Sequence, residues 1–147
     1  MIRFAVVGDI GSGKSYVAKQ FGYPVFNADA EVTKLYKTNK KCFIRLKKLL
    51  PKYIISFPVK KTELFKAIII NQSNLKKITK VIHPEVRIKM NKFLIKNRNK
   101  KIVVLDIPLL LENKINKKND ILIFVDAKKS QIYKRLKRRK NFNLKLF

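Results

Sequence analysis

The chain has 147 residues, and 36 Lys and Arg against 9 Asp and Glu give it a formal net charge of +27. That length is typical of one domain, and 46% hydrophobic residues supply a core, which excludes wholesale disorder. A single Cys and a single His exclude an intrachain disulfide and a multi-histidine metal site. The apolar runs fall far short of the roughly 20 residues that cross a bilayer. Since the N-terminus also lacks a signal-peptide pattern, we expect a cytoplasmic protein without a membrane partner.

The positive charge has two interpretations. It is typical of proteins that bind polyanions, such as nucleic acid, an anionic membrane or phosphate-rich small molecules. Most of the basic residues are Lys, however, and Ile and Asn are also abundant, as an A/T-rich genome would produce without selection for binding. Because proteins that read bases rely more on Arg, the composition favours the second interpretation.

The first half of the chain alternates short apolar segments with amphipathic ones. Residues 2–7 predict a buried strand, because Ala5, Val6 and Val7 are apolar without a break, as suits a parallel strand covered on both faces. After it we predict a loop at 8–13, a helix at 14–21, a strand at 23–26, and helices at 30–36 and 40–50.

The second half continues the alternation of helices and strands. Residues 64–70 are apolar and suit a buried strand or a helix, and we favour a helix because the stretch lacks alternation. Ser73 or Asn74 is expected to cap another helix that runs to about residue 82. Pro84 predicts the start of a separate helix, because proline suits the first helical turn. Strands are predicted at 101–106 and 120–126, and a basic helix at 130–140. Strands separated by helices indicate an α/β fold with a mainly parallel sheet.

The most specific motif is GDIGSGKS at residues 8–15. It matches the pattern G-x-x-x-x-G-K-[ST] between a predicted strand and a predicted helix. Such a loop directs backbone N–H groups and a helix N-terminus at a phosphate, and its glycines avoid Cβ clashes. Lys14 is expected to neutralise the β- and γ-phosphates, and Ser15 to bind Mg²⁺.

Two carboxylates follow predicted strands. Asp29 comes after the second strand, where it is able to hold an acceptor hydroxyl and take its proton, or alternatively to cap the next helix. Asp106 ends an apolar strand, a pattern that supports Mg²⁺ directly or through water. Many buried strands end in an Asp that only caps a turn, so spacing alone leaves both interpretations open.

Four segments together resemble the dephospho-CoA kinase family. GDIGSGKS at 8–15 resembles the family's GGIGSGKS, and NADA at 27–30 resembles its DADx. IHPEVR at 82–87 resembles xHPxVR, and DIPLLLE at 106–112 resembles DxPLLxE. Order and spacing agree, and the resemblance extends from Met1 to about residue 143.

The resemblance implies a fold, a reaction and a set of functional residues. The fold is a three-layer P-loop NTPase core with a helical substrate-binding insert, here about 38–98. The first part of a lid is expected at about 130–147, with the remainder of the lid absent. The reaction transfers the γ-phosphate of ATP to the ribose 3′-hydroxyl of dephospho-CoA with Mg²⁺. The implied catalytic residues are Lys14, Asp29 and Arg138; ATP contacts come from Gly8, Gly11, Ser12, Gly13, Lys14, Ser15 and Tyr16; dephospho-CoA contacts come from Asp29, His83 and Arg87; and metal ligands are Ser15 and Asp106.

The chain departs from the family pattern at three positions and at its end. Asp9 brings a carboxylate near the phosphate loop, which weakens anion binding unless it faces solvent. Asn27 replaces an Asp and cannot take a proton. Tyr16 replaces a Thr, which is a mild change because a backbone N–H is able to make the phosphate contact. After about residue 142 the lid pattern is lost, so we expect a shortened chain with weak or no turnover.

Other functions compete with this one. A different P-loop kinase would use Lys14 and Ser15 but would give no role to His83 or to residues 108–110. A non-catalytic, basic nucleic-acid-binding protein would bind with a steep salt dependence. The scattered lysines, without an aromatic-lined basic strand, make this the weaker alternative. We therefore expect a kinase without a specific nucleic-acid partner, and we also expect a monomer.

Overall fold

The computed structural model describes residues 1–108 and 116–139. They form two compact units. The sheet unit comprises Met1–Asn27 and the described residues from Lys96 onward, and the helical unit comprises Ala28–Ile95. None of the helices in the described ranges combines the length and the apolar character needed to cross a membrane.

The sheet unit contains four parallel strands. They are β1 (Ile2–Val7), β2 (Val25–Asn27), β3 (Ile102–Asp106) and β4 (Ile121–Phe124), in the spatial order β2-β3-β1-β4. Two helices belong to this unit, α1 (Lys14–Gln20) and α6 (Lys129–Lys137). The predicted α/β class with a parallel sheet is confirmed, and the predicted strand at 23–26 is shorter and lies at Val25–Asn27.

The core of the sheet unit forms where α1 packs on the sheet. Ala18 of α1 is fully buried with Val6 and Val104 of the strands, and Val17 and Phe21 pack beside them. These are the three apolar positions of 14–21 that a helical period places on one face. The apolar stripe thus fixes α1 against the strand that precedes the loop at 8–13.

The helical unit contains α2 (Ala28–Thr38), α3 (Lys40–Leu49), α4 (Lys61–Ile70) and α5 (Ser73–Lys96). Its core is a cluster of buried side chains with one or more members from each helix. The buried members of this cluster are Leu35, Cys42, Leu46, Leu50, Ile54, Val59, Leu64, Ala67, Ile78, Val81 and Ile82. At the start of α3, the Asn39 side chain caps the helix by accepting from the Cys42 N–H at 3.0 Å.

The predicted break at Pro84 is wrong, because α5 continues through it. Ile78, Val81 and Ile82 are buried in the helical core before the proline, and Val86 packs against the same core after it. An interior proline removes a helical hydrogen bond and costs about 3 kcal/mol. Burial of several apolar side chains, at roughly 1.5–3 kcal/mol each, exceeds that cost.

Asn74 does not cap α5 as one alternative predicted. Its side chain is buried and donates to the Ala67 carbonyl at 2.8 Å, which ties α5 to α4. The Ser73 N–H instead donates to the side chain of Asn71 at 2.9 Å. A local sequence pattern cannot distinguish a cap from such a bridge, because both use the same amide chemistry.

Tyr36 gives the helical unit a pH-dependent stability. Burial, and next the neighbouring Cys42, raise the pKa of its phenol to about 12. Because the folded state holds this proton more tightly than the unfolded chain, the associated stability is present below pH 10 and is lost as the pH rises from 10 to 12. Two pKa units correspond to about 2–3 kcal/mol.

We therefore expect Tyr36→Phe to remove about 2–3 kcal/mol of the fall in unfolding free energy between pH 9.5 and 12. Urea unfolding followed by circular dichroism at both pH values measures it. Tyr16→Phe is the control, because Tyr16 is 71% exposed. Equal pH slopes for wild type and Tyr36→Phe would show that Tyr36 does not titrate in this way.

Candidate phosphate-binding site

The topology of the sheet places three chain segments together at the carboxyl ends of its parallel strands. β1 and β3 are neighbours, and their chain connections leave in opposite directions, to β2 on one side and β4 on the other. In open α/β sheets, ligands bind at the carboxyl ends of the strands at such a switch point. The loop at 8–13 follows β1, and Asn27 and Asp106 are register partners at the ends of β2 and β3.

The loop at 8–13 depends on glycine where it leaves β1. Gly8 has a φ of 145°, and a Cβ placed on it would lie 2.3 Å from the Val125 carbonyl oxygen. Gly13 has a φ of 101° and directly precedes α1. Both conformations are rare for residues with side chains, so these two glycines of the motif are required by geometry.

We expect Gly8→Ala to lower the unfolding free energy by about 2–4 kcal/mol, because the clash is with backbone and cannot relax by rotamer change. Gly22→Ala is the matched control. Gly22 also has a positive φ, 72°, but a Cβ there would meet nothing within 4 Å. Its cost is therefore limited to backbone strain of about 1 kcal/mol. Urea unfolding measures both, and equal losses would contradict the role of the Val125 contact.

Lys14 extends back across the loop that it follows. Its Nζ donates to the carbonyl oxygens of Gly8 at 2.8 Å and Asp9 at 2.7 Å. The ammonium group therefore lies at the loop itself, where a phosphate surrounded by the loop would meet it. Asp9 is exposed to solvent. This is the arrangement in which its carboxylate does not weaken anion binding at the loop.

Ser15, Asn27 and Asp106 form one hydrogen-bonded group. Ser15 Oγ donates to Asp106 Oδ2 at 2.5 Å, and Asn27 Nδ2 donates to the same oxygen at 2.8 Å. Asn27 Nδ2 also lies 3.4 Å from Ser15 Oγ. Asp106 is 4% exposed, so its carboxylate is held by these donors rather than by water. The two predicted metal ligands, Ser15 and Asp106, are therefore in direct contact.

Helix α6 packs directly against the loop. Ile132 and Leu136 are buried, and their carbons lie 3.2–3.3 Å from the position of a Gly11 Cβ. Arg135, on the same helix, donates from Nη1 to the carbonyl oxygens of Gly11 and Ser12 at 3.0 Å each. Ser12 is 4% exposed, and its hydroxyl has no hydrogen-bond partner in the described part of the chain.

The other predicted site residues lie in the helical unit or on α6. Asp29 is exposed in the first turn of α2, which begins at Ala28, so Asp29 is not the residue that caps this helix. His83 and Arg87 are exposed and one helical turn apart on α5. Arg138 is the C-cap of α6 and is exposed.

The remaining predicted positions are Tyr16 and residues that lie outside the described ranges. Tyr16 is 71% exposed in the first turn of α1, so its ring is not part of the core. Residues 109–112 of the fourth motif and the last part of the predicted lid, from residue 140, lie outside the described residues. The roles given to individual site residues therefore stay predictions.

Sequence reasoning missed Arg135. The signal available was the spacing of Ile132 and Leu136, which predicts one buried face of α6 with Arg135 beside it. The spacing does not say which loop that face contacts. The contact with Gly11 joins residues 124 positions apart and is set by the packing of the whole unit.

A parallel α/β sheet with this loop, this lysine and this serine–aspartate pair defines a P-loop NTPase fold with a nucleotide-phosphate site. A sequence model described as dephospho-CoA kinase matches residues 2–145. The chain therefore belongs to the dephospho-CoA kinase family, whose members are phosphotransferases that act in coenzyme A synthesis.

Individual relatives agree with this assignment. The chain is 36% identical to the dephospho-CoA kinase of Bartonella quintana over 147 residues, which cover 97% of this chain and 75% of that protein. It is 34% identical to that of Wolbachia pipientis wMel over 128 residues, which cover 84% of this chain and 66% of that protein. The chain thus spans about two thirds to three quarters of the length of these relatives.

Solved structures support the fold. A Thermus thermophilus crystal structure matches with a TM-score of 0.77 and 30% identity, and the match covers 97% of this chain and 74% of that one. Dephospho-CoA kinase from Campylobacter jejuni matches with a TM-score of 0.55, covering 90% of this chain and 92% of that one. At 17% identity this second likeness shows the fold alone.

Proposed function

We propose that this chain transfers the γ-phosphoryl group of ATP to the ribose 3′-hydroxyl of dephospho-CoA. The observation that carries the proposal is the loop at 8–13 with Lys14 at its carbonyls and the Ser15–Asp106 pair beside it, in a chain of this family. Each of these groups has a defined task in phosphoryl transfer, which is mainly positioning and charge stabilisation.

The loop and Lys14 hold the nucleotide phosphates. Lys14 Nζ donates to two carbonyl oxygens of the loop. Phosphate oxygens can replace these carbonyls at little cost, because charged phosphate oxygens are stronger acceptors for an ammonium group. The backbone N–H groups at the start of α1 lie at the positive end of the helix dipole, and both features favour a bound anion. Gly8, Gly11, Ser12, Gly13, Ser15 and the Tyr16 backbone complete the proposed ATP site.

Ser15 and Asp106 fit a magnesium ion by their chemistry. The pair offers a hydroxyl oxygen and a carboxylate oxygen, and Mg²⁺ is commonly bound by one or two carboxylates together with waters and substrate phosphates. When bound, the ion would neutralise charge on the β- and γ-phosphates. Asn27 keeps the carboxylate in place from the other side.

Asp29 is the proposed general base. The hydroxyl oxygen of dephospho-CoA forms a bond to the γ-phosphorus, the bond from that phosphorus to the bridging oxygen breaks, and ADP leaves. The hydroxyl proton passes to the Asp29 carboxylate, and Arg138 stabilises the charge of the group in transfer. We propose that the helical unit binds dephospho-CoA, with contacts from His83 and Arg87.

A coupled assay of ADP release tests the proposal. With ATP and Mg²⁺, dephospho-CoA is expected to give ADP above the baseline of the Lys14→Ala variant, with 3′-phosphorylated product identified by mass spectrometry. A panel of nucleoside monophosphates and shikimate is expected to stay at that baseline. Phosphorylation of a panel member but not of dephospho-CoA would sink the proposal. A cytoplasmic monomer without a specific nucleic-acid partner also stays a prediction, and light scattering measures the oligomeric state.

A further inference from the structure

The side chain of Arg135 holds two carbonyl groups of the phosphate loop at 8–13. Arg135 Nη1 donates to two successive carbonyl oxygens, those of Gly11 and Ser12, at 3.0 Å each. Hydrogen bonds from a guanidinium group are stronger than those between neutral groups. The buried side chains of Ile132 and Leu136 flank the arginine on α6 and bring the helix against Gly11.

The direction of these carbonyls determines the direction of the N–H groups that follow them. A trans peptide is planar, and its C=O and N–H point in opposite directions. The peptide that carries the Ser12 carbonyl also carries the Gly13 N–H. In the described part of the chain this N–H donates to no protein acceptor, whereas the Ser12 N–H donates to the Asp9 carbonyl at 3.1 Å. A donor on the Ser12 carbonyl therefore aims the Gly13 N–H away from α6.

The loop needs such a constraint because of its glycines. Gly11 and Gly13 flank the peptides concerned, with φ values of 81° and 101°. Glycine populates positive and negative φ about equally, so a rotation of either peptide meets little resistance from these residues. The hydrogen bond from the Ser12 N–H to the Asp9 carbonyl restrains the Gly11–Ser12 peptide. The contact with Arg135 restrains the Ser12–Gly13 peptide.

We propose that Arg135 is a positioning residue that locks the Ser12–Gly13 peptide with its N–H directed at the bound phosphate. Its positive charge also polarises that peptide, which makes the Gly13 N–H a stronger donor. The identity of the ligand rests on the proposed function, but the lock itself does not. Arg135 thus acts through the backbone and does not touch the reacting atoms.

Nuclear magnetic resonance tests the lock directly, because the chain has only 4 glycines. Labelling with ¹⁵N-glycine gives one amide signal for each. Gly13 is the glycine that follows a serine, so carbonyl-¹³C serine identifies its signal. In Arg135→Met we expect the Gly13 signal to shift and broaden, while the signal of Gly22, in the turn after α1, stays in place.

Lys134→Met is the matched control. It removes the same charge from the neighbouring exposed position of α6, so long-range electrostatics change equally. We expect the dissociation constant for ATP, measured by calorimetry, to rise about tenfold in Arg135→Met and less than twofold in Lys134→Met. If Arg135→Met does not fold, Arg135→Lys replaces it, and a partial effect is expected because lysine keeps the charge but its ammonium lies one bond closer to the backbone than Arg135 Nη1.

The outcomes separate this proposal from its alternatives. An unchanged Gly13 signal in a folded Arg135 variant would overturn the lock. Equal losses of ATP affinity in Arg135→Met and Lys134→Met would assign the effect to net charge, which also overturns it. A purely structural contact would lower the melting temperature and leave the Gly13 signal and the ATP affinity unchanged. Wild-type protein that binds no ATP would refute the proposed function, while the Gly13 signal would still decide the lock.

Discussion

Replacing Lys14 with alanine is expected to reduce ATP affinity by about 100-fold or more, with little change in the fold. The Lys14 ammonium contacts two carbonyls of the loop, so it already lies where the phosphates enter. Loss of a charge-assisted contact to a polyphosphate typically removes several kcal/mol, and 1.4 kcal/mol corresponds to a factor of ten. Calorimetric titration with ATP measures the change.

The fold of the Lys14→Ala variant should stay intact because the side chain contributes no core packing. Lys14 is partly exposed, and its two bonds join groups of one loop. Lys19→Ala is the matched control, since Lys19 is exposed on the same helix and its loss changes the net charge equally. An ATP affinity within threefold of wild type in Lys14→Ala would contradict the assignment of the phosphate site.

The structural features that the sequence predicted correctly are the local ones, among them the loop at 8–13. The motif at 8–15 specifies its own loop, because Gly8 and Gly13 adopt conformations that other residues avoid and the lysine follows within one turn. Apolar patterning likewise predicted β1 from a continuous run and α1 from a helical period, because burial on two faces or on one gives these patterns in the sequence.

The parts that sequence could not predict depend on packing between distant segments. Asn27 and Asp106 are 79 positions apart, and only the parallel register of β2 and β3 brings them to 2.8 Å. The continuation of α5 through Pro84 is similar, because it depends on the core that Val81 and Ile82 enter. A proline has the same local signal whether or not such a core is present.

Asn27 also changes how the proposed magnesium site should be understood. With an amide at this position, Asp106 receives two hydrogen bonds on one oxygen, from Ser15 and from Asn27. A second carboxylate at 27 would stand against Asp106 as a like charge, which raises the free energy of both when ionised. The amide therefore fixes Asp106 and keeps the local negative charge low, which also suits the approach of phosphates.

Replacing Asp29 with asparagine is expected to lower kcat by about 10²–10⁴-fold, the usual contribution of a general base. Asparagine keeps the size of the side chain and one acceptor oxygen but cannot accept the hydroxyl proton. Asp29 is exposed at the start of α2, so its loss removes no core contact. The Thr33 hydroxyl donates to its backbone carbonyl at 3.0 Å, a bond that the substitution retains.

Glu31→Gln separates chemistry from helix stability. Glu31 also lies in the first turn of α2, so both variants remove one acidic charge near the same helix N-terminus, an effect of about 0.3–1 kcal/mol. Glu31→Gln is expected to keep wild-type kcat, although it breaks the ion pair with Lys34 at 2.8 Å. ATP affinity should stay within twofold in both variants. A loss of ATP binding in Asp29→Asn, or an equal loss of kcat in both, would show that Asp29 acts through α2 rather than on the proton.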